Sequence, residues 1–123
     1  METVLITGAA RRLGRLITEN LSKSGHFVWV HYRTHEAEAK DLCSEIRKNG
    51  GSAECVRADL TDIRQIDKML SDIQGSSHSQ LTTLINNASV FPSGTICEMD
   101  SDEWDRTMNT NLKAVWYLSS RFA

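Results

Sequence analysis

The sequence has no CxxC pair and only three cysteines, Cys43, Cys55 and Cys97. Their odd number and wide spacing argue against a disulfide framework and predict reduced thiols. There is no excess of charge of one sign. Fourteen Lys and Arg stand against sixteen Asp and Glu, for a net charge of -2. That balance gives no electrostatic basis for a nucleic acid or an anionic membrane as partner. No apolar run approaches the roughly 20 residues of a membrane span. Met1-Glu2 leads straight into an apolar strand, without a basic segment, a long apolar stretch or a small-residue cleavage site. The expectation is a cytoplasmic protein without a signal peptide. No internal repeat, low-complexity tract or linker divides the chain.

What is present fits one packed domain over residues 1–123. Hydrophobic residues make up 40% of the chain and charged residues 24%. Thr3 to Thr7 is a short apolar run rich in β-branched residues, which predicts a buried strand. Leu13, Leu16, Ile17 and Leu21 follow at helical spacing, and Gly25 stops that helix. Phe27 to Tyr32 predicts a second strand. Glu36 to Lys48 predicts a helix with a stripe at Ala39, Leu42, Cys43 and Ile46. Ala53 to Ala58 predicts a third strand. Thr61 or Asp62 caps a helix carrying Ile63, Ile66, Leu70 and Ile73. Leu81 to Ile85 predicts a fourth strand. Asp100 to Glu103 opens a long helix whose apolar stripe is Trp104, Met108, Leu112, Val115 and Leu118. Four strand-helix alternations predict an α/β fold, a doubly wound parallel sheet covered on both faces.

Between the first strand and first helix lies Thr7-Gly8-Ala9-Ala10-Arg11-Arg12-Leu13-Gly14. A tight strand-to-helix turn points free N–H groups beyond the strand, and the helix start adds positive potential, so a pyrophosphate fits there. Gly8 permits the turn and Gly14 lets helix and strand approach. The usual middle glycine is missing, and Arg12 stands near its place. The alternative is a generic tight turn. The second strand ends His31-Tyr32-Arg33-Thr34 with no acid at its tip. An acid there would bind a ribose hydroxyl and repel a 2′-phosphate. Arg33 offers a charged planar fork instead, with Arg11 or Arg12 to help, which favours NADP(H). The alternative is that Arg33 is a solvated surface charge.

These residues resemble the short-chain dehydrogenase/reductase family. Thr7 to Gly14 is similar to its cofactor loop, and Asp59-Leu60 to its adenine-binding pair. Asn86-Asn87-Ala88-Ser89 is similar to its Asn-Asn-Ala-Gly segment, and Asn111 to its helix asparagine. The resemblance implies the Rossmann-type fold, and Thr7, Gly8, Arg11, Arg12, Leu13, Gly14, Tyr32, Arg33, Thr34, Asp59, Leu60, Asn87, Ala88 and Ser89 at the cofactor. Within the family the details look like pteridine reductases, whose loop reads Thr-Gly-Ala-Ala-Lys-Arg-Leu-Gly. Their fourth strand ends Asn-Asn-Ala-Ser-Ser-Phe, where this chain has Asn86 to Phe91 with Val90 as the fifth residue. That likeness implies hydride transfer from NADPH to a carbonyl or a pterin C=N. Phe91 would stack on the substrate, and Arg12 and Ser89 would touch it. No metal is implied.

Each residue also has a plainer role. Phe91 could pack in the core, Asp59 could brace the turn before Asp62, and Asn111 could bond a nearby backbone group. The resemblance adds a water or lysine relay through Asn111, in a supporting catalytic role. It also implies a tyrosine with a lysine four residues on, past a fifth strand. The chain ends at Ala123, before that segment. Tyr117 to Arg121 copies the spacing with an arginine, which cannot titrate usefully there. The expectation is therefore the cofactor-binding part of such an enzyme, truncated after the fourth strand and its helix. The alternatives are an inactive NADP(H)- or pterin-binding module, or the remnant of a disrupted gene. An exposed fourth-strand edge, or a last helix exposing Trp104, Trp116 or Phe122, predicts a homo-oligomer or pairing with a complementary C-terminal half.

Overall fold

A computed structural model describes residues 2–123. Four strands form one parallel sheet: β1 (Thr3–Ile6), β2 (Phe27–Tyr32), β3 (Ser52–Arg57) and β4 (Thr83–Ile85). Their order is β3-β2-β1-β4. The chain steps outward from β1 to β3, then crosses back to add β4 on the other side of β1. The loops leaving β1 and β4 therefore diverge, and a crevice opens beyond the carboxyl ends of the strands.

The helices α1 (Arg12–Lys23) and α2 (Glu36–Lys48) cover one face. There Val4, Ile6, Val28 and Val30 pack with Ala39, Leu42 and Ile46. The helix α3 (Ile63–Gln74) and the last helical segment cover the other. Leu5, Phe27 and Trp29 pack there with Ile66, Met69, Ile73, Ala114 and Leu118. Alternate residues of each strand thus serve opposite layers, so β1 and β2 are buried on both sides and read as unbroken apolar runs.

The expected boundaries shift slightly. Thr7 lies outside β1, β3 runs from Ser52, and β4 begins only at Thr83. Of the two candidate caps for α3, Asp62 serves: its side chain accepts from the Arg64 N–H at 3.0 Å.

Two expected helix stripes are corrected. Leu13 and Leu16 face outward, 62% and 57% exposed. The residues of α1 that meet the sheet are Gly14, Thr18 and Ser22, with Ile17 and Leu21 beside them. Close approach of α1 to the sheet selects small side chains, and Thr18 is satisfied by donating to the Gly14 carbonyl at 2.8 Å.

The second correction concerns the last helix. It is α4 (Ser101–Met108), one wide π-type turn (Asn109–Lys113) and α5 (Ala114–Phe122). The wide turn breaks the 3.6-residue period. Trp104 and Leu112 are consequently exposed, Met108 and Val115 are half-buried, and the buried positions are Thr110, Ala114, Tyr117 and Leu118. No helix among the described residues is long and apolar enough to cross a membrane. The three cysteines are free thiols.

Candidate functional site

A cavity of about 640 Å³ opens beyond the strand ends. One wall is the glycine loop with Gly8, Arg11, Arg12 and Leu13. A second is the end of β2 with Tyr32, Arg33 and Thr34. Asp59 and Leu60 follow β3, and Asn87, Ala88, Ser89 and Phe91 follow β4. Three of the expected site residues stand behind these walls and line none of the cavity: Thr7, Gly14 and Asn111.

Gly8 has a backbone φ of +62°, which glycine adopts freely. Arg12 has φ +53°, a left-handed conformation that is uncommon outside glycine, and it lies where the expected middle glycine is missing. Gly14 is required by space. A Cβ there would stand 2.3 Å from the Gly8 carbonyl oxygen and 2.6 Å from the Asn87 side-chain nitrogen. That nitrogen donates to the Thr7 and Gly8 carbonyls at 3.1 and 3.2 Å. The Thr7 hydroxyl oxygen accepts the N–H groups of Asn87 and Ala88, both at 2.9 Å. Thr7, Gly14 and Asn87 therefore lock the turn after β1 to the segment after β4.

The loop is also gripped from β2. Gly8 N–H donates to His31 Nδ1 at 2.9 Å, and Ala9 N–H donates to the His31 carbonyl at 3.0 Å. His31 Nε2 lies 2.9 Å from the Ala58 carbonyl. Desolvation pushes its pKa from 6.5 down to about 4; Arg57 adds to that fall, while the Ala58 carbonyl and Asp59 oppose it.

Asp59 bonds locally, as its plainer role requires: its Oδ1 accepts from the Thr61 N–H at 3.0 Å and the Thr61 hydroxyl at 2.8 Å. Burial pushes its pKa up, but the two Thr61 bonds and the Arg106 and Arg33 guanidiniums outweigh it, and the net shift is downward. Asn111 likewise holds backbone. Its Oδ1 accepts the Val90 N–H at 2.9 Å, and its Nδ2 donates to the Val90 carbonyl at 2.8 Å. Phe91 does not pack in the core; it is 86% exposed at the cavity rim. Tyr117 is buried away from the cavity and donates to Asp67 of α3 at 2.6 Å.

Charge gathers on the cavity in an uneven way. Arg11 is paired with Glu38 at 3.3 Å and bonds His35 at 2.9 Å. Glu36 is paired with Lys40 at 2.8 Å. Arg12, Arg33 and Arg106 line the cavity, and among the described residues their guanidiniums make no ion pair or hydrogen bond. Arg106 and His31 were not expected at the site. Arg106 stands one turn before Thr110, and both line the cavity from the end of α4 and the wide turn that follows. His31 is the one imidazole in the apolar and aromatic run of β2, which marks it in the sequence without showing its partners.

A family model described as short chain dehydrogenase matches residues 2–123. The chain belongs to the short-chain dehydrogenase family. Among its relatives in that family, 3-oxoacyl-(acyl-carrier-protein) reductase FabG of Staphylococcus aureus is 30% identical over 115 residues, covering 94% of this chain and 46% of the relative. The angucycline C-6 ketoreductase LanV, solved with bound NADP, is 33% identical with a TM-score of 0.91, covering 98% of this chain and 49% of that one. FolM alternative dihydrofolate reductase 1 from Brucella canis, solved with NADP, is 31% identical with a TM-score of 0.87, covering 98% and 48%. The chain thus spans about half the length of the family members it matches. The fold is the family's parallel sheet with helices on both faces.

Proposed function

We propose that the chain forms the NADP(H) site of a short-chain reductase. The observation that carries this reading is the set of Arg12, Arg33 and Arg106 lining one cavity with unpartnered guanidiniums, with the nearby acids Glu36 and Glu38 already neutralised by Lys40 and Arg11. Such a cavity suits a ligand with several phosphates. The fit extends to the backbone. Space at Gly14 lets α1 begin close to β1, and the first turn of α1 has no side-chain cap, which leaves its N–H groups for an anion. Arg33 would take the 2′-phosphate, with Tyr32 and Thr34 beside it. Arg12 and Leu13 would take the pyrophosphate, Asp59 and Leu60 the adenine, and Ala88 and Ser89 the nicotinamide side.

A bound reduced nicotinamide would supply a hydride. The substrate class that fits is a carbonyl or a pterin C=N, held by Arg12 and Ser89 under the exposed Phe91 ring. The pterin choice rests on the loop sequence and on likeness to FolM, named as an alternative dihydrofolate reductase. Titration with NADPH and NADH tests the cofactor; equal affinities would sink the 2′-phosphate reading. Reductase assays with dihydropterin or quinonoid substrates then test the chemistry.

The second reading is cofactor or pterin binding without turnover by these residues alone. It is favoured by Tyr117, whose hydroxyl is committed to Asp67 outside the cavity. NADPH binding without turnover would support it. The outer edge of β4 and the exposed Trp104, Leu112 and Trp116 offer a surface for a further strand or a second chain. A strictly monomeric sedimentation profile at micromolar concentration would count against an oligomer. The cytoplasmic reading rests on the odd number and wide spacing of the three cysteines, read as reduced thiols.

A further inference from the structure

We propose that His31 is a positioning residue that decides which N–H groups of the glycine loop are left to bind phosphate. The inference rests on the NADP(H) reading above and deepens it.

His31 is 2% exposed, yet both its ring nitrogens have partners. Gly8 N–H can only donate, so the Nδ1 that receives it carries no proton. The proton then sits on Nε2, which donates to the Ala58 carbonyl. The geometry assigns one neutral tautomer. The backbone carbonyl of the same residue takes the Ala9 N–H. His31 therefore occupies the first two N–H groups after Thr7, the ones a generic glycine-loop argument would aim at a phosphate.

Among the described residues, the N–H groups of Ala10, Arg11, Arg12, Leu13 and Gly14 have no acceptor. Ala10, Arg11, Arg12 and Leu13 of that set line the cavity, running into the start of α1. The anion is thereby directed toward the helix end and the Arg12 side chain, away from Gly8. The second bond adds a link. Ala58 precedes Asp59, so one imidazole ties the phosphate loop to the adenosine wall.

The two bonds can be cut separately. Asparagine puts an oxygen close to the Nδ1 position and keeps the acceptor for Gly8. Glutamine reaches the Nε2 position and keeps the donor to Ala58. We expect His31→Asn to retain NADPH affinity within about threefold. We expect His31→Gln to lose about tenfold, the worth of one hydrogen bond, even where its Tm stays near wild type. Amide hydrogen exchange of the ligand-free chain gives a second readout, with Gly8 protected in wild type and His31→Asn but not in His31→Gln.

Affinity that merely follows Tm across both variants would overturn the positioning role. So would unchanged Gly8 protection in His31→Gln. Failure of the wild type to bind NADPH, with Gly8 protection behaving as expected, would overturn the cofactor reading and leave the loop clamp standing.

Discussion

The Thr7 hydroxyl oxygen accepts the backbone N–H groups of Asn87 and Ala88, each at 2.9 Å. One side chain at the end of β1 thus closes the gap that opens where β4 turns away. Thr7→Val keeps the shape and removes the acceptor, leaving two N–H groups short of a partner. A loss of about 1–3 kcal/mol is expected. Urea unfolding checks it, and Thr7→Ser should recover most of the loss.

Gly14→Ala should be worse than an ordinary glycine substitution in a helix. Its φ is unremarkable, so helix propensity alone favours alanine by about 1 kcal/mol. The added methyl would meet the Gly8 carbonyl at 2.3 Å and Asn87 at 2.6 Å. Both are held in place, so overpacking of about 1–3 kcal/mol should win. A higher Tm in Gly14→Ala would show that the loop can retreat.

Arg33→Ala should weaken NADPH binding by roughly tenfold or more and leave NADH almost unchanged, since a charge-assisted bond is worth about 1.5–3 kcal/mol. Parallel fluorescence titrations of the two cofactors read this directly. Equal losses for both would assign Arg33 to a part of the ligand that the cofactors share.

Stability should fall on mild acidification. His31 is held neutral with a pKa of about 4 when folded, against 6.5 in the unfolded chain. Between those values the unfolded chain takes up a proton that the folded chain refuses. The contribution of His31 is therefore complete above pH 6.5 and is lost as pH falls toward 4, to a total on the order of 3 kcal/mol. Asp59, also shifted downward, acts in the same sense at lower pH. Urea curves at pH 7 and pH 4.5 for wild type and His31→Asn isolate the histidine share, which should vanish in the variant.

Asn111→Ala should free the loop after β4, because both bonds to Val90 come from one amide. Loss of about 1–3 kcal/mol is expected, with faster hydrogen exchange at Val90. A fully stable variant with intact protection would mean that the loop is held elsewhere.

The sheet was legible because β1 and β2 are buried on both faces, and a strand with no wet side leaves an unbroken apolar run in the sequence. The glycine loop was legible from its place between a strand and a helix. Leu13 and Leu16 misled because apolar residues mark a helix face only where bulk is wanted, and α1 meets the sheet through Gly14 and Thr18. The role of His31 was hidden because its partners, Gly8 and Ala58, come from two other strand ends. Arg106 was obscured by a stripe drawn through Trp104 and Leu112, which assumed one unbroken period.

The wide turn at Asn109–Lys113 makes the last helix two rotors on one shaft. A regular α-helix holds about 3.6 residues per turn, so absorbing one extra residue sets the two halves roughly 100° out of step. The segment toward Arg106 is thereby keyed to the cavity, while Ala114, Tyr117 and Leu118 stay keyed to the sheet. Deleting a single residue from the turn would bring the halves back into step. One of them would then have to leave its seat, so the chain tolerates a change of identity in this turn far better than a change of length.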